Sequence, residues 1–168
     1  MMNRTTAVLM TLFLLALATM PAAAAVQQKQ QAQSAAQASL AEALLLRPDL
    51  AIERIWILKA GPQPLNRPPR PVTQLKKGVK YLMYCSYKNI GRALNGVWKL
   101  GYYVDGQMIW NQYWGNVGAN ETQTKFIDNF VPTVVGQHTY ECRLDFDNEV
   151  AERSEGNNKA SITFTVIP

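Results

Sequence analysis

The chain has 168 residues, with 17 Lys and Arg against 12 Asp and Glu and a formal charge of +5. At 48% apolar and 17% charged it is too hydrophobic for a disordered chain, and its length suits one domain rather than a multidomain enzyme. Two cysteines cannot make a four-cysteine zinc site, and a single histidine leaves little for metal or acid–base catalysis.

Residues 1–25 read as a secretory signal peptide. Arg4 is the positive head, residues 7–20 are an apolar run, and Pro21 precedes the small residues Ala22, Ala23, Ala24 and Ala25. A run of about 14 residues is shorter than the roughly 20 that span a bilayer, so no membrane span is expected. Sec-type export would make the product periplasmic or secreted. Residues 26–48 form a Gln- and Ala-rich leader without aromatics, either flexible or a marginal helix able to dock Leu40, Leu44 and Leu45. Pro48 should end it.

From Asp49 to Pro168 the pattern is that of short strands between turn signals. Residues 50–58 (LAIERIWIL) form the first. Residues 61–71 hold five of the nine prolines and predict an extended connection without ladder hydrogen bonds. Residues 79–88 alternate, with Val79, Tyr81, Met83, Cys85 and Tyr87 on one face. Residues 97–104 and 107–114 flank Asp105-Gly106, a strong two-residue hairpin signal. Residues 122–130 are a weaker strand. In 138–146, Tyr140, Cys142, Leu144 and Phe146 share a face, and in 160–167 Ala160, Ile162, Phe164 and Val166 do. Seven or eight strands with no required helix predict an all-β, immunoglobulin-like sandwich of two antiparallel sheets.

Cys85 and Cys142 fall on apolar phases, Trp98 lies 13 residues after the first, and Tyr140 lies two before the second. This Cys…Trp…Tyr-x-Cys order matches the immunoglobulin core, in which a bridge pins two sheets, a Trp packs on it and a tyrosine marks a corner. In an oxidising compartment the pair would form a disulfide. Closing its 56-residue loop would stabilise the fold by roughly 4 kcal/mol. The alternatives are two buried thiols or, at a spacing far from Cys-x-x-Cys, a redox pair.

The segments PDLAIERIWI at 48–57, NIGRA at 89–93, YYVDGQMI at 102–109 and VVGQHTYECRLDFDNEVAERSEGNN at 134–158 resemble the CARDB family, cell-adhesion-related domains found in bacteria. The most specific part is E-x-x-E-x-N-N, here Glu152, Glu155, Asn157 and Asn158. The resemblance covers about 49–168 and implies an immunoglobulin-like sandwich with a role related to adhesion. The Pro-rich connection and the cysteine pair depart from the family pattern.

Asp145, Asp147, Glu149, Glu152 and Glu155 are close in sequence, but as an EF-hand loop they fail, with Val150 at position 6 and Gly156 at position 12. The expected role of Asp147, Asn148, Asn157 and Asn158 is to cap loop backbone, and no metal site is assigned. His138 reads as a surface or loop-packing histidine on a polar phase. No Ser or Cys has a base partner and no phosphate loop occurs, so no catalytic residue and no cofactor are expected.

With the turn at Asp105-Gly106, Val104 pairs with Gln107, and continuing that register sets Trp98 opposite Tyr113. If Trp98 is core, Tyr103, Met108, Trp110 and Trp114 project outward as an aromatic strip, unless a bulge at Gly101 shifts the pairing. Such a strip is a candidate binding surface, or is covered by the leader. Residues 49–101 carry ten Lys and Arg against two acids, and residues 102–168 carry four against nine. Arg67, Arg70, Lys76, Lys77 and Lys80 could face anionic envelope polymers or an acidic partner. The expected function is a non-catalytic binding module for an extracytoplasmic protein. A cell-surface glycan, a structural envelope role and self-association are the alternatives, and nucleic acid is disfavoured.

Overall fold

A computed structural model describes residues 22–62, 70–94 and 96–168. The chain divides into two units, 1–43 and 44–168. Of the expected signal peptide, residues 1–21 lie outside the described residues, as do 63–69 of the Pro-rich connection. The leader is helical: α1 spans Ala22–Leu45. Its alanines, glutamines and leucines are good helix formers, and neither Pro nor Gly interrupts it before Pro48. No described helix is long and apolar enough to cross a membrane.

The second unit is a two-sheet sandwich. Strands β1 (Leu50–Lys59), β3 (Tyr81–Asn89) and β6 (Thr122–Phe130) form one sheet in the order β1-β3-β6. The other has the order β2-β8-β7-β4-β5, with β2 at Gln74–Lys76, β4 at Trp98–Val104, β5 at Gln107–Trp114, β7 at Gly136–Leu144 and β8 at Lys159–Ile167. All pairings are antiparallel except β2 with β8. The three-residue β2 has no signal of its own in the sequence. It exists because its backbone reaches the free edge of β8, where Leu75 pairs with Val166.

Period-2 alternation places Tyr81, Met83, Cys85 and Tyr87 of β3 inward, opposite Tyr140, Cys142 and Leu144 of β7. Cys85 and Cys142 form a disulfide between the sheets. Trp98 is fully buried, meets Tyr87 edge-on at 5.1 Å, and donates its indole N–H to the Gly115 carbonyl at 2.9 Å. Tyr140 is no local corner. Its hydroxyl donates across the sandwich to the carbonyl of Tyr84 at 3.0 Å.

Two expectations about facing fail for local reasons. The hairpin register holds for Val104 with Gln107 and Tyr103 with Met108, but Tyr102 then pairs with Trp110 and Trp98 with Trp114. Ile109 is the extra residue of a bulge in β5, so every side chain beyond it changes face. After β7, Asp145 takes φ 42° and turns the chain over, so Phe146 packs on the outer side against Tyr103 instead of entering the core.

Candidate functional site

The bulge removes the expected aromatic strip. Trp110 meets the buried Tyr102 edge-on at 5.6 Å, and Trp114 lies on the core with the Lys125 ammonium 3.7 Å over its ring. Both tryptophans therefore face inward. Tyr103 does face outward, but it is buried beneath Phe146 with the Arg143 guanidinium 4.1 Å over its ring. Of the four residues only Met108 is open to solvent.

The structure carries an aromatic ladder elsewhere, on the outer face of the β1-β3-β6 sheet. Trp56, Tyr84 and Phe126 occupy paired positions on the three strands. Their ring centroids are 5.0 and 4.9 Å apart, with interplanar angles of 8° and 27°. Rings this close and this parallel are stacked face on face, not laid side by side as a platform. Tyr84 therefore has both faces covered and Trp56 one, with the Arg54 guanidinium also over the Trp56 ring. Sugar stacking needs open ring faces, so this ladder offers little beyond Phe126.

A concavity lies at the end of the sandwich where β4 turns into β5 and β6 runs into β7. It holds about 580 Å³. Val104, Ile109, Phe130, Val134, Phe164 and Val166 supply its apolar wall. It opens between β5 and β6, which are the terminal strands of their sheets on the same side of the molecule. Of its lining residues Ile109, Val131 and Val134 are exposed. The strand β5 has neither charge nor proline along its free edge, features that usually guard such an edge.

Asp105 and His138 form the polar corner of this cleft. His138 has the parity of Tyr140 and Cys142, so it points to the inner side and stacks on Phe164 at 5.5 Å; it is not on a polar outer phase. Its Nδ1 faces the Asp105 carboxylate at 2.7 Å and its Nε2 faces the Val134 carbonyl at 2.9 Å. The Asp105 hydrogen bond holds the His138 pKa above its ordinary value, with the Val134 carbonyl adding to it against partial burial. In return His138, and after it the Thr139 N–H, hold the Asp105 carboxyl below its ordinary value. Strand parity could have revealed that His138 faces inward.

Beside the cleft are three exposed lysines, Lys76 at the end of β2 and Lys77 and Lys80 on the turn joining it to β3. The Gly78 N–H of that turn donates to Pro132 of the cleft wall at 2.9 Å. Arg70 is exposed, and Arg67 lies outside the described residues.

The residues of the family resemblance gather at the opposite end. Asn89, fully buried, accepts the N–H groups of Asp49 and Gly91 and donates to the carbonyls of Arg92 and Val117. The Glu152 carboxylate accepts the Leu50 N–H and, at 2.8 Å, the amide of Asn158. Asn157 donates to Asp49 at 2.7 Å. Asn157 and Asn158 thus bind carboxylates rather than capping backbone with their side chains, and Asp147 pairs with Lys99. Asp145 does the capping, accepting the N–H groups of Glu149 and Val150. Burial pushes the Glu152 carboxyl up to about 7, and the nearby Glu155 and Asp145 add to the rise.

Several solved structures share this fold. A CARDB domain from Pyrococcus furiosus, crystallised in complex with di-metal ions, is 21% identical with a TM-score of 0.56, over 72% of this chain and 90% of that one. A domain from Methanosarcina acetivorans, part of a protein whose name assigns it to the cell surface, is 18% identical with a TM-score of 0.55, over 72% and 93%. No curated protein matches significantly. The CARDB family pattern itself matches residues 69–162, more than half of the sequence. The chain belongs to the CARDB family.

Proposed function

We propose that the chain is an exported, non-catalytic binding module that holds a partner protein at the cleft between β5 and β6. Its family is related to cell adhesion, and a similarly folded domain belongs to a protein named for the cell surface. Both support a place outside the cytoplasm, as does the signal-peptide pattern of residues 1–25. The observation that carries the reading is the cleft itself. About 580 Å³ of mostly apolar concavity, rimmed by exposed valines and flanked by Lys76, Lys77 and Lys80, suits an apolar side chain on an acidic partner surface. The covered ring faces of Trp56 and Tyr84 speak against a glycan platform.

The test uses the exported protein, wild type and with Ile109→Asp or Val134→Asp, against cell-envelope fractions and a glycan array. One protein retained by wild type and reduced at least tenfold by both substitutions is the expected result. Glycan binding that both variants keep would replace this reading with a carbohydrate-binding one. No retained ligand of either class would leave a structural envelope component. Export is tested separately by sequencing the N-terminus of the mature protein, expected at Val26.

A further inference from the structure

The loop between β7 and β8 brings three carboxylates together. Oxygens of Asp145, Glu152 and Glu155 all lie within 4.8 Å of one another, with Asp145 and Glu152 buried and Glu155 exposed. Among the described residues no lysine or arginine forms a salt bridge with any of the three. Lys99 is drawn to Asp147 and Glu149, and Arg143 and Lys159 are held by Glu141. Like charges gathered in this way cost free energy unless something positive joins them.

A second observation concerns Asn158, which is only 6% exposed. Its carboxamide is set among these carboxylates, Nδ2 lying 2.8 Å from Glu152 and 3.3 Å from Glu155, while its buried Oδ1 has no hydrogen-bond partner. An amide oxygen left unpaired in such a place needs a reason. Rotating the amide by half a turn would aim Oδ1 at the carboxylates. That arrangement is repulsive alone and favourable with a cation between them. Asp145, Glu155 and Asn158 also line an open depression of about 220 Å³, which gives an ion and its waters a way in.

We propose that Asp145, Glu152, Glu155 and Asn158 form a binding site for calcium. Four oxygen donors with neither Cys nor His select a hard cation, and ligands drawn from an irregular loop suit calcium better than magnesium, which demands a near-ideal octahedron. The ion would tie the β7–β8 loop to the first strand, because Glu152 already holds the Leu50 N–H. The site stands apart from the cleft, at the other end of the strands, and does not depend on what the cleft binds.

Purified protein, stripped with EDTA, is followed through thermal unfolding with calcium chloride, magnesium chloride or sodium chloride at matched ionic strength. Calcium is also titrated by calorimetry. The expected result is a saturable rise of several degrees in Tm with calcium and a Kd of about 10⁻⁴–10⁻³ M, in the range of extracellular calcium modules. Glu155→Gln alters the hydrogen bond that Glu155 accepts from the Glu152 N–H, so its response is read as the shift from its own metal-free Tm, and it should weaken calcium at least tenfold. Glu149→Gln removes a nearby charge outside the site and should keep the full response. The proposal is overturned if calcium shifts Tm no more than sodium does, if magnesium matches it, or if the two variants respond alike.

Discussion

The two ends of the sandwich use their side chains in opposite ways. At the end where β1 begins and β3 and β7 finish, buried polar groups are committed to the fold: Asn89 satisfies four backbone groups, and Glu152 and Asn157 tie the β7–β8 loop to Leu50 and Asp49. At the other end Val131 and Val134 are exposed around an open cleft, and β5 and β6 each have one edge with no strand beside it among the described residues. The residues by which the family is recognised are therefore largely those that build the domain. The surface suited to a partner lies where the motif is absent, as expected when a rigid scaffold carries variable loops.

The contrast can be broken most severely at Asn89. Asn89→Ala strands the N–H groups of Asp49 and Gly91 and should cost about 3 kcal/mol in urea unfolding. A loss below about 1 kcal/mol would mean that the network is not structural. Gly91→Ala comes next. A methyl there would sit 2.5 Å from the Arg47 carbonyl oxygen and 2.7 Å from the Asp49 nitrogen, both backbone atoms that cannot easily move. About 2 kcal/mol of destabilisation is expected in the same assay.

At the cleft end the effects are smaller and depend on pH. Because the pKa of His138 is raised on folding, the protonated imidazole contributes stability that is complete below the unfolded histidine value of about 6.5. That contribution is lost as pH rises through the folded value. Asp105, lowered on folding, contributes above the unfolded value of about 3.9 and loses it as pH falls through its folded value. The pair is therefore worth most between these limits. Calorimetric Tm values from pH 5 to 9 should decline on the alkaline side in wild type and decline less in Asp105→Asn, which tolerates the left-handed turn at φ 51°. Equal slopes would exclude the pair as their source.

The smallest effect sharpens the comparison. Val134→Asp, at a side chain 62% exposed, should move stability by no more than about 0.5 kcal/mol. A loss as large as that of Asn89→Ala would show that the cleft rim is part of the scaffold.

Much of the fold was legible because alternation is a local property. Tyr81, Met83, Cys85 and Tyr87 announce their burial within one strand, and the Cys85, Trp98, Tyr140 and Cys142 order identified the sheets that the disulfide joins. The site was much less legible. Reading β5 from Asp105-Gly106 was sound for two pairs and then met the bulge at Ile109, which no residue type announces and which reverses Trp110 and Trp114. The cleft draws on β4, β5, β6, β7 and β8 together, so no single segment could display it.

The sequence by itself determined which of the longer segments are strands, which of their faces are mostly apolar, which two cysteines could pair and which family the chain resembles. Each rests on side-chain chemistry repeated at short spacing. Only the tertiary structure decided the pairing of β2 with β8, the facing of the β5 aromatics, the pairing of His138 with Asp105 and the meeting of Asp145, Glu152, Glu155 and Asn158. Those depend on which backbones end side by side and where one extra residue interrupts a ladder. Both are set by the packing of distant segments.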